Sequence, residues 1–364
     1  MRLNLNPNSI RYIFLYVFLG TLASPIILYT IDFSVGWVLD HANGTKNTEE
    51  KWLTLKRTLL FLTLDSPNFV ALSPDNAKKI QKFGLPYDKK GGGGTWITQP
   101  SYDSHGRRVS LGGSPETAKH FSLFFGGSWI HGNGVTDPET LPSLAQKKWP
   151  GFQSYNYGIS GGSPSHSLAL IARRQLPSAL KQKSGIAVFE ISDASFFRVY
   201  GIPATKWLEN LPMVELNDRD EIGFRGTLNR TKPLTWFFYR WLDLSIFDLM
   251  LKPNWSFSPQ GPLLCRIVKE SKKILSEQLQ LNNFYVLNYA RNPDRRNFIA
   301  NCLKDAGIPV LILLVRINNL NCMSKLDITH PGAQTFSEIS NYLHEKIFFK
   351  KPDYKNYDCI EILN

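Results

Sequence analysis

From residue 121 onward the chain alternates between short apolar runs and longer amphipathic stretches. Ser122–Phe125 is a compact apolar and aromatic run of strand type, stopped by Gly126 and Gly127. Asp137, Pro138 and Glu139 open a helix with a capping side chain, a proline at the first helical position and an early acid. Leu141, Leu144, Ala145 and Trp149 follow at helical spacing. Gln153–Tyr157 predicts a second strand ended by Gly158, Pro164–Leu180 a helix, and Ile186–Ile191 a third strand. Arg295–Ala306 predicts a helix closed by Gly307. Pro309–Val315 is a continuous apolar run, as in strands buried on both faces, and Ala333–Phe348 closes the pattern as an amphipathic helix. Upstream, Thr95–Val109 reads as strands around a turn at Ser104–Gly106. This alternation predicts an α/β fold: a parallel sheet with helices on both faces. Residues 200–285 break the alternation and read as an insertion.

The N-terminal pattern is different. Tyr12–Ile31 carries no charge over twenty residues, enough to cross a bilayer as one helix. Arg2 and Arg11 precede it and Asp32 and Asp40 follow, so the positive-inside rule leaves a short cytoplasmic N-terminus and places the bulk of the chain outside. The apolar run continues through Ile26–Ile31, beyond the small residues near Ala23, which favours an uncleaved anchor over a removed signal peptide. The expected organisation is a cytoplasmic N-terminus (1–11), an anchor (12–31), a tether and cap segment (32–94), the α/β domain (95–350, insertion 200–285) and a tail (351–364). Gly91–Gly94 reads as a joint; without a following Gly-Lys-Ser/Thr it is not a phosphate loop. Leu234–Leu251 is apolar but interrupted by Arg240, Asp243 and Asp248, the pattern of an amphipathic helix that packs or touches a membrane surface.

Composition narrows the function classes. In 364 residues, 43% hydrophobic content supports a substantial core. A net charge of +12 suits anionic partners, yet no zinc-finger spacing or helix-turn-helix pattern accompanies it, so nucleic acid is not expected. Cys265, Cys302, Cys322 and Cys359 form no CxxC pair, so no metal or redox cofactor is expected. One or two disulfides fit an exported domain, with connectivity open.

Candidate chemistry begins at Ser128, a hydroxyl directly after a strand end and among glycines that let backbone approach a ligand. A serine nucleophile needs a base, an orienter for the base and donors for an oxyanion. Asp327 and His330 lie three apart, ahead of a helix and behind an apolar strand. On one turn of loop the carboxylate can hold one imidazole nitrogen and leave the other free as a base. His131 is the rival near Ser128 and is expected as an exposed loop residue, with His105, His120 and His166 at the surface or in caps. Ser160 and Ser163 belong to a glycine-rich turn, and the aromatics Phe196, Phe197 and Trp236–Tyr239 are expected in the core.

These residues carry a resemblance to the SGNH hydrolases, the GDSL-type esterases and lipases. GGSWIHGNGV at 126–135 is similar to that family's first block, NYGISGGS at 156–163 to its second, FEISDASFFRV at 189–199 stands where the third falls, and DITH at 327–330 matches the last. The blocks occur in the family's order across residues 120 to 347. The resemblance implies a three-layer α/β/α sandwich around a parallel sheet of about five strands. It implies Ser128 as nucleophile, His330 as base and Asp327 as its orienter, with an oxyanion hole from Ser128, Gly161 and Ser192. It implies hydrolysis or transfer of an acyl ester through an acyl-enzyme, without metal or cofactor. With the expected anchor, the substrate would be an acylated envelope glycan or lipid. A catalytically silent binding protein of the same fold is the alternative. Two positions depart from the pattern: Gly127 stands where the family has Asp, and Ser192, followed by Asp193, stands where it has Asn.

Overall fold

The computed structural model describes residues 100–113, 116–173, 176–199, 212–216, 221–227, 260–324, 330–349 and 357–363. The expected anchor, the tether and cap segment, Leu234–Leu251 and Asp327 lie outside the described residues.

Among the described residues, regular structure begins with strand β1 (His120–Gly126), followed by the one-turn helix α1 (Ser128–His131), a 3-10 turn (Asp137–Glu139) and helix α2 (Leu141–Lys148). Strand β2 (Phe152–Gly158), helix α3 (Pro164–Ala172), strand β3 (Ser184–Ile191) and helix α4 (Asp193–Arg198) come next. A small antiparallel pair, β4 (Pro212–Leu216) and β5 (Ile222–Thr227), stands apart from the main sheet. Helix α5 (Gln260–Gln278), strand β6 (Gln280–Asn288), helix α6 (Pro293–Lys304), strand β7 (Val310–Val315), helix α7 (Ala333–His344) and strand β8 (Ile360–Leu363) complete the domain.

The main sheet has six strands in the order β2-β1-β3-β6-β7-β8. The first five are parallel and β8 runs antiparallel to β7. The winding reverses at β1, with β2 on one side and β3 on the other, which opens a crevice at the carboxyl ends of β1 and β3. Period-two alternation divides the core between the two faces. Phe121, Leu123 and Phe125 of β1 pack with Leu168 and Ile171 of α3 and Leu264, Ile267 and Val268 of α5. Phe124 points the other way, into Leu141 and Ala145 of α2, Trp149, and Phe336 and Ile339 of α7.

Several sequence expectations need correction. The helix expected to begin at Asp137 is only a 3-10 turn there; α2 proper starts after Thr140, whose side chain accepts from the Ser143 amide. The helix expected over Pro164–Leu180 ends at Ala172. Residues 260–285, expected within the insertion, instead supply α5 and most of the interior strand β6. The last residues are not a simple tail, because Ile360–Leu363 forms the sheet edge. That edge explains β7, which is fully buried only at alternate positions (Leu311, Leu313 and Val315), since one strand from the rim a second face is incompletely covered.

The four cysteines pair as Cys265–Cys302, joining α5 to α6, and Cys322–Cys359, tying the loop after β7 to the start of β8. Each pair spans 37 residues of sequence. Closing a loop of that size removes unfolded-state entropy equivalent to about 4 kcal/mol in the chain-entropy model. Replacing Cys265 and Cys302 together by Ser is therefore expected to lower unfolding stability by about 3–4 kcal/mol. Urea melts with and without reductant check this: reductant shifts the parent midpoint downward, and an unshifted parent refutes it.

Candidate active site

A cavity of about 220 Å³ opens at the carboxyl ends of β1 and β3, and both Ser128 and His330 lie on its wall. They arrive from distant parts of the chain. Ser128 is the first residue of α1, directly past β1, and His330 stands just ahead of α7. The two are not hydrogen-bonded to each other among the described residues. Contacts of this kind are often long without substrate and tighten when it binds.

The loop carrying Ser128 is held from several sides. Gly132 and Gly134 have φ of 86° and 82°, a left-handed conformation that disfavours side chains. The Arg108 guanidinium is 2% exposed and sits inside this loop. Its Nε donates to Asp137 at 2.8 Å, while its two terminal nitrogens donate to the carbonyls of His131, Gly132 and Val135 at 3.0, 2.6 and 2.7 Å. Asn156 on β2 adds bonds from its amide nitrogen to the carbonyls of Ile130 and His131, and its oxygen accepts from the Gly158 amide. Asn156 is thus a brace between β2 and the Ser128 turn.

His131 is not the exposed loop residue expected. It is buried, with Nε2 3.0 Å from the Tyr102 hydroxyl and Nδ1 2.7 Å from the Asn133 carboxamide oxygen. Both ring nitrogens are engaged, so His131 has no lone pair to offer Ser128. Burial pushes its pKa down to about 3, with Arg108 adding to the effect. His166 caps α3, its Nδ1 accepting from the Ser163 amide, and is also pushed to about 3, by burial first and Arg198 second.

These two neutral histidines imply acid sensitivity. Their folded pKa values lie below the unfolded value of 6.5, so their contribution is intact above that pH and is lost as pH falls toward about 3. Glu190 acts with the opposite sign, because burial raises its pKa and its protonation favours the folded state as pH falls. The histidine contribution is the one lost on acidification, so on that account the urea midpoint should fall between pH 7 and pH 5. A flat midpoint over that range contradicts it.

Of the expected oxyanion donors, Ser128 and Ser192 are on the cavity wall. The Ser192 amide donates to Ser195 Oγ at 3.0 Å, and the two hydroxyl oxygens lie 3.5 Å apart. Asp193 faces away, its carboxylate accepting from the Arg291 amide and pairing with Arg295. Gly161 sits in a turn beside the cavity. The Gly162 amide donates to the Ile159 carbonyl at 2.7 Å, closing a turn whose third position is Gly161 at φ 70°. That turn requires a residue with positive φ there, which accounts for the glycine; Gly162 lines the cavity and Gly161 does not.

The sequence gives no role to three residues that the structure places at the site, although Arg198 stands in the same strand-end region as Ser192. Arg108 stands beside Arg107 in sequence, and nothing around it marks it as buried. Glu190 and Arg198 both line the cavity, and burial shifts the Glu190 carboxyl upward and the Arg198 guanidinium downward. The one available signal was Glu190 itself, an acid inside the otherwise apolar strand IAVFEI. Phe196 is core, as expected, while Trp236–Tyr239 lie outside the described residues. No group of residues suited to holding a metal ion occurs among the described residues. None of the helices among them is long and apolar enough to cross a membrane.

No protein-family model matches the chain, and no curated protein matches it in sequence. Among solved structures, it is similar to an acetyl xylan esterase (Est2A) from the rumen bacterium Butyrivibrio proteoclasticus. That likeness has 10% identity and a TM-score of 0.37, and covers 69% of this chain and 68% of that one.

Proposed function

We propose that this chain is a serine esterase of SGNH type, with Ser128 as nucleophile, His330 as general base and Asp327 as the residue that orients His330. The observation that carries the proposal is the shared cavity: a serine at the end of β1 and a histidine ahead of α7 meet at the crevice where the sheet reverses. Substrate binds with its acyl carbonyl against Ser128. His330 takes the hydroxyl proton as Oγ attacks, and the oxyanion is met by the Ser128 amide and the Ser192 hydroxyl. His330 returns the proton to the departing alcohol, and a water deacylates the enzyme by the reverse route. An alcohol acceptor in place of water makes the same site an acyltransferase.

The proposed location is the outer side of the cytoplasmic membrane, with Tyr12–Ile31 as anchor. Two disulfides fit an oxidising compartment. The substrate class that follows from this location is an acylated envelope glycan or lipid.

One observation favours a second reading, a silent binding protein of the same fold. Ser192 offers a short hydroxyl where a carboxamide would reach further, and loss of an oxyanion donor costs about 10²–10³ in rate. A fluorophosphonate probe separates the two. Covalent labelling of the full chain, mapped to Ser128, supports the esterase; an unlabelled chain refutes it.

A further inference from the structure

The turn that carries Ser128 begins with two glycines and no capping side chain. Gly127 is the N-cap of α1 and makes no side-chain cap bond. The first amides of a helix have no partner within it, so the turn needs an acceptor from elsewhere. Glu190 supplies one from the penultimate position of β3. Its Oε2 accepts from the amide of Gly127 at 2.9 Å and from that of Ile130 at 3.3 Å. Those amides flank Ser128 and Trp129, whose own N–H groups Glu190 leaves alone.

The glycine pair fits this arrangement position by position. A Cβ at Gly126 would stand 2.3 Å from Glu190 Oε2 and 2.6 Å from Glu190 Cβ, so this glycine makes room for the carboxylate. At Gly127 a Cβ would meet only ordinary contacts: the Gly162 carbonyl oxygen at 3.4 Å, Arg198 Nη1 at 3.6 Å and Glu190 Oε1 at 3.9 Å. Its φ of −90° lies outside the left-handed region that requires glycine. Position 127 therefore has the space for a side chain and carries none. Arg198 completes the support, its Nη1 donating to the Gly162 carbonyl at 2.8 Å and its charge favouring an ionised Glu190.

We infer that Glu190 is a positioning residue, which holds the Ser128 turn from the neighbouring strand in place of a capping acid at position 127. Its effect on reactivity rests on the reading of Ser128 as nucleophile; its effect on the turn does not. Carboxylate loss lets α1 drift, and a misplacement near 1 Å at a nucleophile costs about 10²-fold in rate.

The test uses the full chain and three variants: Glu190→Ala, Glu190→Gln, and Glu190→Ala combined with Gly127→Asp. Two quantities are read, the fluorophosphonate labelling rate at Ser128 and amide hydrogen exchange across residues 126–131. Glu190→Ala is expected to slow labelling about 10²-fold and to speed exchange in that segment, while exchange in the β3 and β6 core stays as in the parent. Glu190→Gln keeps an acceptor oxygen and is expected within about tenfold of the parent, which guards against a variant that merely fails to fold. In the combined variant an aspartate at the N-cap can take the Ile130 amide, so labelling recovers at least about tenfold and exchange slows again. Unchanged exchange in Glu190→Ala, or no recovery with Gly127→Asp, overturns the inference. A parent chain that is not labelled at all defeats the esterase reading instead, and the exchange measurements then decide Glu190's role alone.

Discussion

Ser128→Ala and His330→Ala should each reduce turnover of a chromogenic short-chain ester by about 10⁴–10⁶-fold, with the double variant little worse than either. The non-additivity is the informative part. On the proposed reading, nucleophile and base act on one proton in one transition state, so removing the second partner after the first has little left to remove. Both residues lie on the wall of the same cavity, so neither substitution disturbs the β1 or α7 packing that forms the core. Kinetic assay alongside a urea melt separates lost chemistry from lost fold. Parent-like turnover in both variants removes the triad assignment outright.

Arg108→Ala should destabilise the whole domain by about 3–5 kcal/mol, because it strands a largely buried partner, Asp137, without its cation. Three loop carbonyls, those of His131, Gly132 and Val135, lose their donor at the same time. Arg108→Lys should rescue little. One ammonium cannot meet a carboxylate through one nitrogen and three carbonyls through two others, and the planar guanidinium does this without losing further rotamer freedom. The measurement is the urea midpoint, with the labelling rate at Ser128 as a second readout. A lysine variant as stable as the parent would show that charge alone, not the fork of donors, holds the loop.

Fold and site differed in how much of each was legible beforehand. The strands at 120–126, 152–158 and 184–191 were visible through their cores, Ser122–Phe125, Gln153–Tyr157 and Ile186–Ile191: the first and third are largely apolar, and the second is marked by its two tyrosines and the closing Gly158. Strand β6 was missed because its first half, Gln280–Asn283, is polar and mostly exposed; only Phe284–Asn288 enters the core. The edge strand β8 was missed because four residues carry too little pattern to stand out, and its place comes from pairing with β7 and from Cys322–Cys359. At the site, Ser128 and His330 were legible because their neighbours limit what they can do. Glu190 and Arg108 were not, since a charge is read as exposed until the groups that neutralise it are known.

The order and spacing of apolar runs, acting through local periodicity alone, determined that this chain forms a doubly wound α/β domain and that Ser128 stands at a strand end. Only the tertiary structure decided that the Ser128 turn is held by a carboxylate from the next strand, and that His131 is spent on Tyr102 and Asn133. It alone decided that Gly162 rather than Gly161 reaches the cavity. The physical reason is range: periodicity acts within a few residues, while the hydrogen bonds of a buried polar group go to whatever the folded chain brings beside it.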